Sequence, residues 1–199
     1  MGNEKLRLFI AIDTPQHVKE ALETVREALK ETHAEVRWEA AEKHHATIRF
    51  LGPTDQGNIK EITHRLGEIA ATCSPFSIQY SGLGIFSRGG RPKVIWVGIK
   101  SEDGGLRDLH HHIEDAVTAL GFEREKREFH PHITLGRING NRNLNSLQRK
   151  METLTFESQP VTISEFLLVR SDLQSSGSTY STLNVFHLGP KVQTDRSTS

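Results

Sequence analysis

The feature that most constrains this chain is a four-residue pattern that occurs twice. His45-Ala46-Thr47-Ile48 and His132-Ile133-Thr134-Leu135 each place a histidine, a threonine two residues later, and then an apolar residue. In extended backbone, residues two apart share a face, so each copy on a strand presents an imidazole and a hydroxyl side by side. As a string the pattern carries little weight, because 11 histidines and 16 threonines in 199 residues predict about one H-x-T by chance. Position carries more: both copies fall in expected strands, at equivalent places in two half-repeats.

Leu6 to Ile12 is an apolar run expected to form a buried strand, and Asp13-Thr14-Pro15 starts a helix over 15–30 with Val18, Leu22, Val25 and Leu29 on one stripe. A short strand over 36–38 and the first motif strand, ending at Gly52-Pro53, follow. Ile59, Ile62, Leu66 and Ile69 mark the next helix, and strands over 76–86 and 94–99 pair as a hairpin across the basic loop 87–92. The second half repeats the plan. A helix runs through Leu106, Leu109, Ile113, Val117 and Leu120, the second motif strand covers 130–137, a weaker helix covers 143–152, and strands over 161–169 and 180–188 flank the polar loop 171–179. The expected fold class is α+β: two similar lobes with largely antiparallel sheets and outer helices, whose motif strands face each other across a cleft. The first and last segments cross between lobes, so residues 1–189 read as a single bilobal domain and 190–199 as a polar, disordered tail.

Lys+Arg and Asp+Glu both number 25, so global charge gives no pull toward nucleic acid and any polyanion must be met by a local patch. The single cysteine, Cys73, excludes an internal disulfide and suits a reducing, cytoplasmic setting. The run 6–12 is too short for a membrane span. Without K-x-D-G or a P-loop, ATP-driven ligation is disfavoured. The neutral charge and lack of an aromatic-basic stripe argue against a non-catalytic RNA-binding module.

Two histidines and two threonines lining one cleft supply acid/base groups and hydroxyl donors for phosphoester chemistry without a metal or other cofactor. Arg49, two residues past Thr47, is expected on the cleft face. Arg137, three past Thr134, would point away in a regular strand; both are candidate phosphate ligands. His130 and His132 form an H-x-H, too few ligands for a metal site. His44 faces away from the first motif, His110-His111-His112 spreads around a helix, and Arg88 and Arg91 sit in a Gly-rich loop that is either a solvated hairpin tip or a contact for an RNA backbone. Phe9, Trp38 and Tyr180 are either core aromatics or stacking surfaces for a base.

H-A-T-I-R-F-L-G after an opening R-L-F-I-A-I-D-T-P, with H-P-H-I-T-L-G-R in the second half, resembles the 2H phosphoesterase superfamily, and within it the RNA 2',3'-cyclic phosphodiesterases, also called 2'-5' RNA ligases. The resemblance runs to about residue 188 and implies a bilobal fold with a pseudo-twofold axis through the cleft. It further implies that His45 protonates the leaving O3' and His132 activates water, giving a 2'-phosphomonoester, on RNA with 2',3'-cyclic phosphate ends or on small cyclic nucleotides. The residues alone do not say which histidine has which role. ATP-independent 2'-5' ligation, or hydrolysis of another small cyclic or 2'-5' nucleotide, remains open in the same cleft. Oligomeric state is open too, a monomer being compatible with the scheme.

Overall fold

Each helix buries one stripe of apolar residues spaced by three and four, and each strand buries alternate residues beneath those stripes. The computed structural model describes residues 5–174 and 177–189, so the tail expected at 190–199 lies outside the described residues. In chain order the elements are β1 (Lys5–Asp13), α1 (Gln16–Lys30), β2 (Val36–Trp38), β3 (His45–Asp55), α2 (Ile59–Thr72), β4 (Phe76–Arg88) and β5 (Arg91–Lys100). They continue with α3 (Gly105–Ala119), β6 (His132–Ile138), α4 (Leu144–Thr153), β7 (Val161–Ile163), β8 (Glu165–Gln174) and β9 (Gly177–His187). Among the described residues no helix is long and apolar enough to cross a membrane.

The strands form one nine-stranded sheet in the order β7-β4-β5-β6-β3-β1-β8-β9, with β2 also paired to β6. The pairings are antiparallel, as expected for an α+β chain. The two motif strands meet at its centre, where Ala46 pairs with Ile133. The sequence halves are interleaved around this junction. The second motif strand, β6, takes the early hairpin β4–β5 as its neighbour, while β3 is backed by β1 and the late hairpin β8–β9. The stretch 161–169, expected as one strand, is two: β7 pairs with β4 and β8 with β1. Much of the expected loop 171–179 is strand instead, because Ser171 to Gln174 pair with Gly177 to Tyr180; polar residues there lie on a ladder whose backbone bonds do not depend on side-chain polarity.

The sheet has two unlike faces. Leu8, Ile10, Ile12, Ala46, Ile48, Ile95, Val97, Ile133 and Leu135 join one core cluster with the buried stripes of all four helices. On the other, open face, among the described residues, Phe9, Ala11 and Val169 form a small buried cluster with Leu167 against them. That open face is concave. β9 is three strands from β3 in the sheet order, about 14 Å at normal spacing, yet Tyr180 on β9 brings its ring within 5.1 Å of the His45 ring.

Candidate active site

Ala46 and Ile133 are buried on the helix side of the central junction, so alternation turns their neighbours onto the open face. The antiparallel register through that pair sets His45 across from Thr134 and Thr47 across from His132. The structure therefore gathers both H-x-T copies into one patch with approximate twofold symmetry about the Ala46–Ile133 pair. Neither threonine hydroxyl has a hydrogen-bond partner among the described residues, which leaves both free to donate to a ligand.

Each imidazole has a backbone hydrogen-bond partner. His132 Nδ1 lies 2.6 Å from the carbonyl oxygen of His130, and His45 bonds to the backbone of Lys43. Each partner is thus two residues earlier. A carbonyl only accepts, so Nδ1 of His132 carries the proton and Nε2 is left for chemistry. Aromatic rings frame both. Phe9 stacks on His45 at 4.9 Å and Tyr180 meets it edge-on; Phe86 meets His132 edge-on at 4.8 Å, with Trp96 at 6.5 Å. Burial lowers the His45 pKa to about 4, against smaller upward contributions that include the Asp13 carboxylate and the backbone hydrogen bond. Burial also lowers that of His132, opposed by its bond to the His130 carbonyl. Burial thus disfavours the imidazolium form of both rings.

The two arginines exchange the places expected of them. In β6, Trp96 pairs with Thr134 but Ile95 pairs with Gly136, which makes Leu135 an extra residue. This bulge leaves Leu135 and Gly136 both buried and returns Arg137 to the open face. There its Nε lies 3.2 Å from Glu39 Oε1. In β3, Ala11 pairs with Thr47 and Ile10 with Arg49, so Ile48 is the extra residue. Arg49 consequently shares the face of buried Ile10 and points toward the helices. The expectation that it lies on the cleft face is corrected: its Nε is 2.6 Å from Glu114 Oε2 of α3, with both side chains nearly buried, and its guanidinium also donates to the carbonyls of Phe50 and Glu123. The residue three past Thr47, matching Arg137, is Phe50, an exposed aromatic beside Phe9.

Of the remaining candidates, Phe9 and Tyr180 belong to the site, whereas Trp38 packs on the helix-side cluster opposite Gly136. His130 contributes its carbonyl; its exposed ring stands 3.6 Å from Glu128. Among the described residues no group of three or more His, Cys, Asp or Glu side chains is placed to hold a metal. His44 is fully buried with both ring nitrogens unpartnered. His110 stacks on Phe129 at 4.0 Å, and His112 Nδ1 lies 3.5 Å from Cys73 Sγ. Sequence reasoning missed Phe86, Trp96 and Glu39. Alternation along 94–98 places Trp96 opposite the second motif once the pairing of β5 with β6 is known, but nothing local announces that pairing.

The 2'-5' RNA ligase superfamily model matches residues 14–174, which span both motifs and the strands that frame them. The chain belongs to the 2'-5' RNA ligase superfamily. Superfamily members similar to it include proteins named RNA 2',3'-cyclic phosphodiesterase from Aeropyrum pernix, 37% identical over 81% of this chain and 92% of that protein, and from Archaeoglobus fulgidus, 32% identical over 91% and 99%. Its structure is similar to that of E. coli LigT in apo form, with a TM-score of 0.76 and 26% identity over 94% of this chain and 99% of that one. The likeness to TT0787 of Thermus thermophilus, TM-score 0.78 at 23% identity over 94% and 100%, is one of fold. This chain is an enzyme of the 2'-5' RNA ligase superfamily.

Proposed function

We propose that the enzyme hydrolyses the 2',3'-cyclic phosphodiester at the end of RNA or of a nucleotide to a 2'-phosphomonoester, by acid/base catalysis from His45 and His132 without a metal. The observation that carries this reading is the approximate twofold placement of two imidazoles, each with a backbone partner two residues earlier, beside two unpartnered threonine hydroxyls. Proteins similar to it bear the name RNA 2',3'-cyclic phosphodiesterase, and the related LigT has been crystallised with 3'-AMP and with phosphate.

In this scheme Nε2 of His132 takes a proton from water as its oxygen attacks phosphorus. The P–O3' bond breaks in line and His45 delivers its proton to O3', leaving the phosphate on O2'. Thr47 and Thr134 donate to the non-bridging oxygens as charge develops on them. Arg137 exchanges Glu39 for the phosphate. A phosphate anion between the rings favours the imidazolium form of His45, which burial alone disfavours. An RNA 5'-hydroxyl in place of water would turn the same steps into the 2'-5' ligation that the superfamily name describes.

The test is incubation with 2',3'-cyclic AMP and with an oligonucleotide ending in a cyclic phosphate, both in EDTA, followed by identification of the isomer formed. Turnover to the 2'-phosphate is expected. A 3'-phosphate product would mean that O2' departs, and would remove the assigned geometry; loss of turnover in EDTA, restored by a divalent cation, would remove the metal-free scheme.

A further inference from the structure

Outward from Thr134, the open face carries arginines that no carboxylate answers. Arg37 on β2 stands directly opposite Arg137 on β6. Its neighbours Val36 and Trp38 pack on the helix side, so Arg37 is on the open face. In the β4–β5 hairpin Phe86 faces His132. Arg88, two residues on in the same strand, shares that face, and Arg91 is its direct cross-strand partner. Among the described residues Arg37, Arg88 and Arg91 form no ion pair, a condition shared with Arg7, Arg107, Arg142 and Arg149, whereas Arg26, Arg49, Arg65, Arg124, Arg127, Arg137 and Arg170 do pair. What sets the three apart is their direct opposition to another arginine.

Like charges directly opposite each other on a sheet are destabilising. Two arginine pairs stand opposite each other on this face, in a chain with as many acidic as basic residues. In the first, Glu39 answers Arg137 and leaves Arg37 without a carboxylate, and in the second neither arginine has one. The pairs are also in sequence along the strands. The row of Thr134 and Trp96 is followed by the row of Arg137, Val94 and Phe86, and then by Arg91 and Arg88. At roughly 7 Å per two residues, the cations stand about 7 and about 14 Å beyond the motif threonine. A chain of anions leaving the site would answer Arg37 and relieve the Arg88–Arg91 pair.

We propose that Arg37, Arg88 and Arg91 form a track for the sugar-phosphate backbone of single-stranded RNA whose cyclic end is held at the two motifs. The preferred substrate is then an oligonucleotide of several residues, not a mononucleotide. The proposal rests on the hydrolase reading for its catalytic end and on the arginine pairs for the rest.

The experiment compares kcat/KM for 2',3'-cyclic AMP with that for a cyclic-phosphate-ended hexanucleotide, in wild type and in the triple variant Arg37→Ala, Arg88→Ala, Arg91→Ala. A control variant carries Arg107→Ala and Arg149→Ala, on helices α3 and α4. The track requires the triple variant to lose about tenfold or more on the hexanucleotide beyond any loss on the mononucleotide, and to show a shallower salt dependence. Equal losses on both substrates, or an equal loss in the control, would overturn it. If wild type turns over neither substrate, the hydrolase reading falls. The track is then judged by fluorescence anisotropy of a labelled hexanucleotide carrying a terminal phosphate: weaker binding by the triple variant supports it, and equal binding overturns it.

Discussion

At the scale of the residue, neighbouring histidines in one stretch have opposite situations. His45 has an open face, a backbone partner and a stacked ring; His44 is fully buried and unpartnered. Replacing His45 or His132 by alanine is expected to lower kcat roughly 100- to 10,000-fold with the fold retained, as read by circular dichroism alongside turnover. His44 is held near a pKa of about 4, chiefly by burial and then by Arg26 and Lys19. A folded-state pKa below the usual 6.5 means that the unfolded chain binds more protons between those values. The stability contribution is therefore complete above pH 6.5 and is lost as pH falls toward 4. For His44 the loss is about 3 kcal/mol. His44→Leu removes that loss and, since no hydrogen bond is broken, should leave stability at pH 7 within about 1 kcal/mol of wild type. Urea midpoints at pH 7 and 4.5 check this; a variant as acid-sensitive as wild type would contradict it.

At the scale of the element, two bulges decide which side chains reach the site. The extra residue Leu135 brings Arg137 to the open face, and the extra residue Ile48 sends Arg49 to α3. Arg49→Ala should then act on stability, by about 3–5 kcal/mol, because Glu114 is left buried and unpaired. The denaturant midpoint should drop while KM for a cyclic nucleotide stays near wild type; a large rise in KM without destabilisation would put Arg49 back in the site. Close packing secures the β6 bulge. A Cβ on Gly136 would stand 2.7 Å from Val36 Cγ1 and 3.0 Å from Trp38 Cε3. Gly136→Ala should accordingly push β2 off β6 and cost about 1–3 kcal/mol. Because Glu39 follows β2 and holds Arg137, activity should fall with it; an unaltered denaturant midpoint would count against this packing.

At the scale of the whole molecule, the curled sheet places both imidazoles among aromatic walls, and this sets the pH dependence. Burial lowers both pKa values, so the optimum of kcat/KM should lie on the acid side of pH 6.5. A bound phosphate anion raises both, so the profile of kcat should be displaced to higher pH, its limits belonging to the pair. Coincident profiles would mean that the anion does not reach the histidines. Most of the strands and helices, the antiparallel class and the repeated H-x-T were legible in the sequence, because apolar periodicity and side-chain alternation are local properties. The division of 161–169 and the polar ladder at 171–179 were not, since both depend on pairing partners distant from those residues or on backbone bonds alone. The identity of the site's outer residues was not. Arg49 and Arg137 look equivalent along the chain, and only cross-strand register, with its bulges, separates a tether to α3 from a side chain on the open face. Phe86 and Trp96 reach His132 only because the early hairpin pairs with the late motif strand. The sequence by itself determined that two H-x-T copies would be presented on strands; the tertiary structure decided that they meet and which other groups stand beside them, since those neighbours come from strands far apart in the chain and meet only when the sheet closes around Ala46 and Ile133.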